Sequence, residues 1–410
     1  MAEATMSGTR ADAPRTALTS GEFWGGDPHT GLTWLRANDP VHWDAEGGVW
    51  AFTKYQDVRE ASLHPEVFSN AGGIRPETGA LPMMIDMDDP QHLRRRRLLN
   101  KGFTPRRVRE LRPRIETVCH ALVDRVCERG SCDFVTEIAA WLPLIVIGDL
   151  IGVVPDRYGD LLRWSDDLMR AQGQLGDPGV MERSACAFAG YSEYFGSVLA
   201  DRRAGPARDD LVSVLLRAEV DGDRLDDDSL LHETLLLLIG GDETTRHVIS
   251  GGLYRLLADR ENWARLGAER ALLPSAIEEM LRWVTPIKNM ARTLTRDATV
   301  RGRRLAEGQK VLLLYPSANR DEEVFPHPFR FDITRSPNDH LAFGLGSHFC
   351  LGSSLARLEL DTVFTVLLDR LPDIRLASAE EPPLRPAAFV SGYENLAVEF
   401  TPTAPVGAKL

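Results

Sequence analysis

At 410 residues, with 43% hydrophobic and 26% charged side chains and a formal charge of -12, the chain can bury a large core and has the charge content of a water-soluble globule. The acidic balance and the lack of a long basic tract argue against a nucleic-acid function, which needs phosphate-neutralising patches. The five cysteines, Cys119, Cys127, Cys132, Cys186 and Cys350, are odd in number and show no regular framework, which fits a reducing cytoplasm and offers no zinc-type CxxC pair.

In chain order, Met1 to Ser20 is polar and lacks an apolar run of signal-peptide length, so it is expected as a loose tail, with residues 21–410 as one folded unit. Val49–Phe52 reads as a short strand. The stretch Ser69–Pro82, broken by Gly72, Gly73, Pro76, Gly79 and Pro82, reads as a long loop of the kind that is usually functional. In Met87–Phe103, His92 and Arg96 stand four apart and share a helix face, while the run Arg94–Arg97 is ordinarily a solvated surface.

From about Pro105 to Leu281 the spacing is helical, as in Ile115, Val118, Cys119, Leu122, Val123 and Val126, with a break at Gln172–Val180. Trp141–Ile151 and Thr234–Ile239 are the most apolar runs and are too short to cross a bilayer, so no transmembrane segment is expected and the cytoplasm is the expected location. Asp228 to Leu257 reads as one helix of roughly 45 Å. Its mid-helix pair Gly240-Gly241 should cost about 1 kcal/mol per glycine, which marks either a bulge or close approach beside Asp242, Glu243 and Thr244, or a weak spot with solvated polar residues. Glu279 and Arg282 are three apart and can pair, as surface ions commonly do. Lys310–Leu314 and Leu396–Phe400 are two further short strands. No repeat or long linker occurs, so the fold class is mainly α with small β-sheets in a single domain.

The densest signal is HLAFGLGSHFCLGSSLARLEL, His340–Leu360. Gly344, Gly346 and Gly352 let the backbone turn tightly around Cys350 and approach a flat object. A helix starting at Ser353 aims amide groups at the cysteine, which favours a thiolate suited to a nucleophile or a metal ligand.

Phe343, Gly344, Gly346, His348, Cys350 and Gly352 together resemble the haem-binding loop of the cytochrome P-450 family. The resemblance implies that fold around one buried haem b, with Cys350 as axial thiolate, Phe343 beside the sulfur and His348 at a propionate. No CxxCH motif occurs, so the haem would be held non-covalently. Gly240-Gly241-Asp242-Glu243-Thr244 resembles the family's oxygen-binding helix. There Gly240 would open a groove, Thr244 would order water by hydrogen bonds, and Glu243 would supply protons from the solvent side as general acid. Glu279, Arg282 and Arg335 would form the family's structural triad. His92, Arg96 and Arg292 would bind propionates, leaving Arg94, Arg95 and Arg97 mostly exposed.

The resemblance spans essentially the whole chain. It implies an oxidoreductase that inserts one atom of dioxygen into an unactivated C–H bond. No GxGxxG fingerprint occurs, so electrons are expected from a ferredoxin served by a separate NAD(P)H-dependent reductase. The segments SNAGGIRP, LPMMIDMDDP, LIGGDETTRH, AIEEMLRW and FVSGYENL are similar to actinobacterial enzymes that hydroxylate the terminal side-chain methyl of cholesterol and cholest-4-en-3-one. The likeness thins between Ala171 and Ala204. Expected substrate contacts are Ile74, Met83, Ile239, Val248, Ile287, Met290 and Phe389, each of which could equally be core. The alternatives are a hydroxylase of another lipid, terpenoid or macrolide, and a haem-thiolate gas sensor.

Overall fold

The computed structural model describes residues 14–172, 176–206, 208–219, 222 and 224–410. Its centre is the long helix Asp227–Ala258, whose start is fixed by Asp226: the carboxylate accepts from the Ser229 N–H at 2.8 Å, and Asp227 and Asp228 complement the helix dipole. The helix ends where Asp259 caps the next one, Arg260–Ala268. Helices Trp141–Leu150, Tyr158–Ala171, Pro178–Ala204, Leu273–Val284 and Ser353–Arg370 all pack on it. Trp141–Leu150 is apolar on every side and accordingly buried nearly all round. The expected break falls between Ala171 and Pro178, with residues 173–175 outside the described set.

The main sheet runs in the order Val41–Asp44, Val49–Phe52, Lys310–Leu314, Asn289–Leu294, Phe68–Ser69. Only the pairing of Val49–Phe52 with Lys310–Leu314 is parallel. The strand expected at Leu396–Phe400 is shorter, Ala397–Glu399, and pairs with Ser131–Asp133 and Arg375–Leu376.

The expected tail is not loose where it is described. Leu18 is fully buried, its N–H donates to Asp44 Oδ2 at 2.9 Å, and its carbonyl accepts from Trp24 Nε1 at 2.8 Å. Leu18 and Trp24 pack with Leu32, Val49 and Leu312 into a small core of their own. Residues 1–13 lie outside the described set.

Glu279 and Arg282 are wholly buried, not a surface pair. Two hydrogen bonds of 2.7 and 2.8 Å join them, and Arg335 Nε reaches Glu279 Oε2 at 3.1 Å. Arg282 also donates to the carbonyls of Asn319 and Pro328 at 2.8 and 3.0 Å. The triad ties the helix Leu273–Val284 to the irregular chain that leads into the cysteine loop.

Candidate active site

Gly346 has φ +76°, and a Cβ there would lie 2.5 Å from the Ser62 carbonyl oxygen, so only glycine lets the cysteine loop lie on the helix Tyr55–Leu63. The Cys350 N–H closes the loop onto the Phe343 carbonyl at 2.9 Å. The sulfur faces the amides of Gly352 and Ser353 at the start of Ser353–Arg370, with the guanidiniums of Arg96 and Arg357 nearby. Arg357 lies 4.6 Å over the Phe343 ring and is held by Glu278 at 2.6 Å, which also takes His340 at 3.1 Å.

The lowered thiol pKa expected from the helix start is not what this surrounding produces. Burial pushes the Cys350 thiol up and outweighs the amides and both guanidiniums. A cation bound to the sulfur itself reverses that balance, because a metal-coordinated thiol is deprotonated outright.

Above the loop, basic side chains converge. The rings of His92 and His348 stack at 4.0 Å with 28° between planes. Buried His92 contacts Asp89 through Nδ1 at 3.1 Å and leaves Nε2 without a partner. Arg96 donates to the Phe349 carbonyl. Arg292 is buried, donates to the Ala291 carbonyl at 2.9 Å, and lies beside Tyr315. Among the described residues neither Arg96 nor Arg292 has a carboxylate at ion-pair distance. Burial, then His92, Arg292 and Arg96, push His348 down to about 2. Two guanidiniums and two stacked histidine rings, one of them with an orphaned nitrogen, are thus gathered where an anionic group could be held. Arg95 is only half-exposed, unlike the expectation for the run, because it pairs with buried Glu233 at 3.2 Å.

The long helix passes Gly240 and Gly241 without a break. A Cβ on Gly240 would meet nothing within 4 Å, whereas one on Gly241 would touch Ile147. The Thr244 hydroxyl donates to the Gly240 carbonyl at 2.6 Å. Glu243, expected at the solvent side, is fully buried. Arg246 at 3.2 Å, His247 at 3.3 Å and Arg385 at 3.1 Å surround it. Burial opposes the charge, but Arg246 first, then His247 and Arg385, outweigh it and hold the carboxyl well below the usual carboxylate range. Neighbouring Asp242, paired with Arg246 at 2.9 Å, is pushed up to about 7 by burial.

Gly240 and Thr244 open onto a cavity of about 70 Å³ lined by Ile74, Met83, Ile239, Ile287, Met290 and Phe389, with Ile85, Leu236 and Val390 completing the apolar wall. Val248 is absent from this wall. It is buried in the main core, four residues beyond Thr244 along the helix. Sequence reasoning missed Arg75, Thr78, Leu81 and Asp86 at the same cavity. Arg75 lies 4.6 Å over the Phe389 ring with its Nε unpartnered. Nothing in the periodicity distinguishes these loop residues. Arg385 was also missed, because a contact 142 positions away along the chain leaves no local pattern.

The sequence profile of the family described as Cytochrome P450 matches residues 187–390. Two relatives named Steroid C26-monooxygenase are each 52% identical. That of Mycobacterium tuberculosis covers 97% of this chain and 100% of its own, and that of Mycolicibacterium smegmatis covers 96% and 98%. The chain belongs to the cytochrome P450 family. The solved structure of a cytochrome P450 from Chondromyces apiculatus superposes with a TM-score of 0.85 at 36% identity, covering 94% of this chain and 98% of that one. A P450 is a haem-thiolate protein, and these residues fit that group. Cys350 offers the sulfur, Arg96 and Arg292, neither with a carboxylate at ion-pair distance among the described residues, offer counter-charge for two propionates, and the rings of His92 and His348 offer hydrogen bonds. Among the described residues no helix is long and apolar enough to cross a membrane.

Proposed function

We propose that this P450 hydroxylates the terminal side-chain methyl of a steroid, cholest-4-en-3-one or cholesterol, and that its haem is haem b held by Cys350. The near full-length likeness to enzymes named Steroid C26-monooxygenase carries this reading. The bound haem supplies activation of dioxygen, for which an axial thiolate favours O–O cleavage.

The protein's own groups do the rest. Arg96 and Arg292 would neutralise the propionates, and the rings of His92 and His348 would add hydrogen bonds to them. The apolar wall from Ile74 to Phe389 takes the substrate by burial, at roughly 25 cal/mol per Å² less the cost of association. The absent side chain at Gly240 leaves room for the methyl group beside Thr244. Since the Thr244 proton is already given to the Gly240 carbonyl, the hydroxyl oxygen is free to accept, and so holds a water in the chamber. Glu243 is ionised. It is held by Arg246 and Arg385 and is not a reservoir of protons.

The cavity of about 70 Å³ is far below the roughly 300–1,000 Å³ of ligand sites. Entry of a steroid therefore moves the wall. The segment that can move is the loop after Ser69, because Thr78 and Leu81 line the cavity and Leu81 is 42% exposed. No described residue of Gln172–Val180 lines it, so the mouth is assigned to the first loop alone. Electrons are proposed to come from a ferredoxin and its separate reductase, docking on the cysteine side where the Arg94–Arg97 helix lies.

The test is an absorbance titration of the ferric protein. Cholest-4-en-3-one should shift the Soret band towards its high-spin position, and turnover with a ferredoxin and reductase should yield the terminal alcohol. If fatty acids, terpenoids or macrolides shift the band while neither sterol does, the steroid assignment fails and the P450 assignment stands.

A further inference from the structure

We propose a second ligand site in this protein: a cation-lined cavity, apart from the chamber at Gly240, that binds a small oxyanion bearing phosphate or carboxylate. The cavity holds about 450 Å³ and lies between the N-terminal segment around Trp24 and His29, the long helix at His247 and Arg255, and the chain around Trp283, Lys288 and Arg320. Its size is that of an ordinary small-molecule site.

The charges on its wall are unbalanced. Lys288 is 7% exposed, and among the described residues its ammonium reaches only the Thr285 and Val284 carbonyls, at 3.1 and 3.4 Å. Arg320 is 3% exposed, donates one Nη2 hydrogen bond of 2.8 Å to the Trp283 carbonyl, and leaves its buried Nε without a partner. Arg255 and Arg320 lie 4.7 and 4.8 Å from the Trp283 ring, and the Nε of Arg255 is also unpartnered. His29 adds a buried ring nitrogen with no partner.

Two acids share the wall against the three cations Lys288, Arg255 and Arg320, and each accepts from neutral donors instead of from those cations. Glu381 accepts from the Tyr393 hydroxyl at 2.5 Å, and Asp27 caps the His29 amide at 3.0 Å and takes the Thr30 hydroxyl at 2.6 Å. Glu279, the nearest buried acid to Arg320, is occupied by Arg282 and Arg335.

Burial and Arg320 push the Lys288 ammonium down to about 7. Burial, with Arg282, Arg36 and Arg255, pushes Arg320 down to about 9. Buried cations are normally paired, and an oxyanion would supply charge-assisted hydrogen bonds to the unpartnered donors. Trp24, Val284 and Phe329 on the same wall would take a small apolar body. An occupant would sit one side chain from the Glu243 cluster, because His247 faces both.

The experiment is calorimetric titration of the haem-loaded full chain at low salt near neutral pH, with pyrophosphate as the phosphate probe and benzoate as the carboxylate probe. The expected result is saturable one-site binding of at least one probe with an unchanged haem spectrum, weakened tenfold or more by Lys288→Met. The melting temperature of Lys288→Met, measured alongside, should not fall. Should that variant fail to fold, Arg255→Gln replaces it with the same expected loss of binding. Absence of binding by both probes, binding equally tight in the folded variant, or binding that shifts the haem spectrum as a chamber ligand does would each overturn the proposal.

Discussion

Replacing Arg292 by Met should have opposite effects on the haem-loaded and haem-free protein. In the haem-free protein Arg292 is 4% exposed and has no carboxylate at ion-pair distance among the described residues, and burial pushes its pKa down. Methionine has a similar reach and no charge, so the substitution removes an uncompensated buried cation and should leave the melting temperature equal or higher. In the haem-loaded protein the same guanidinium would face a propionate. Breaking a buried ion pair by removing one partner costs about 3–5 kcal/mol. At 1.4 kcal/mol per factor of ten, this predicts haem loss roughly 100- to 4,000-fold faster. Transfer of haem to an excess of an apoglobin, followed by absorbance, measures the rate, and thermal unfolding of both haem-free proteins measures the other sign. Equal rates of haem loss would refute the assignment of Arg292 to a propionate. A large fall in the haem-free melting temperature would show that Arg292 is structural instead.

Thr244→Ala should keep haem and steroid binding but lower the product formed per reducing equivalent and raise peroxide; unchanged coupling would remove the hydroxyl from the proton path. Arg97→Glu should slow reduction by the ferredoxin and flatten its salt dependence, read by stopped flow at several ionic strengths; wild-type kinetics at low salt would place the dock elsewhere. The folded-state pKa of Lys288 is depressed from 10.5 to about 7, so the unfolded chain takes up the proton first as pH falls. Wild type should therefore lose stability relative to Lys288→Met between about pH 10 and 7, by a few kcal/mol in all, and the difference should level off below pH 7. Parallel denaturation midpoints across that range would contradict it.

Local chemistry was readable in the sequence, and long-range neighbourhoods were not. The cysteine loop is legible because three glycines, an aromatic and a sulfur sit within ten residues, and Gly346 proves indispensable for close approach to the Ser62 carbonyl. The strands Val49–Phe52 and Lys310–Leu314 are legible as short apolar runs that become adjacent in one sheet. Spacing alone did not show the buried state of Glu279 and Arg282, because three apart on a helix is the same for a surface pair and a buried one; the family resemblance, which joined them to Arg335 in a structural triad, pointed to it. What decides it is the supply of carbonyls from Asn319 and Pro328. Leu18 shows the same limit at the N-terminus, where a polar stretch hides one apolar side chain that finds a pocket behind the first hairpin. Val248 had the right character for the chamber wall and lies in the core instead.

The acid beside Thr244 shows most clearly how placement overrides residue type. Gly240, Glu243, Thr244 and His247 fall at i, i+3, i+4 and i+7, one stripe of the long helix. Its first part, Gly240 and Thr244, borders the apolar chamber, and its last, His247, borders the cation-lined cavity. Glu243 lies between them without contact with water, and its charge is balanced by the guanidiniums of Arg246 and Arg385. A carboxylate so held is a poor general acid at neutral pH, since its proton is already lost far below the pH at which it would be needed. Its contact with His247 at 3.3 Å is misaligned for a hydrogen bond, and both ring nitrogens of that histidine are unpartnered. His247 is pushed down to about 4 by burial, so at neutral pH it is an uncharged ring with a donor and an acceptor to spare. The buried stripe therefore holds its fixed negative charge at Glu243 and its unsatisfied hydrogen-bonding capacity at His247.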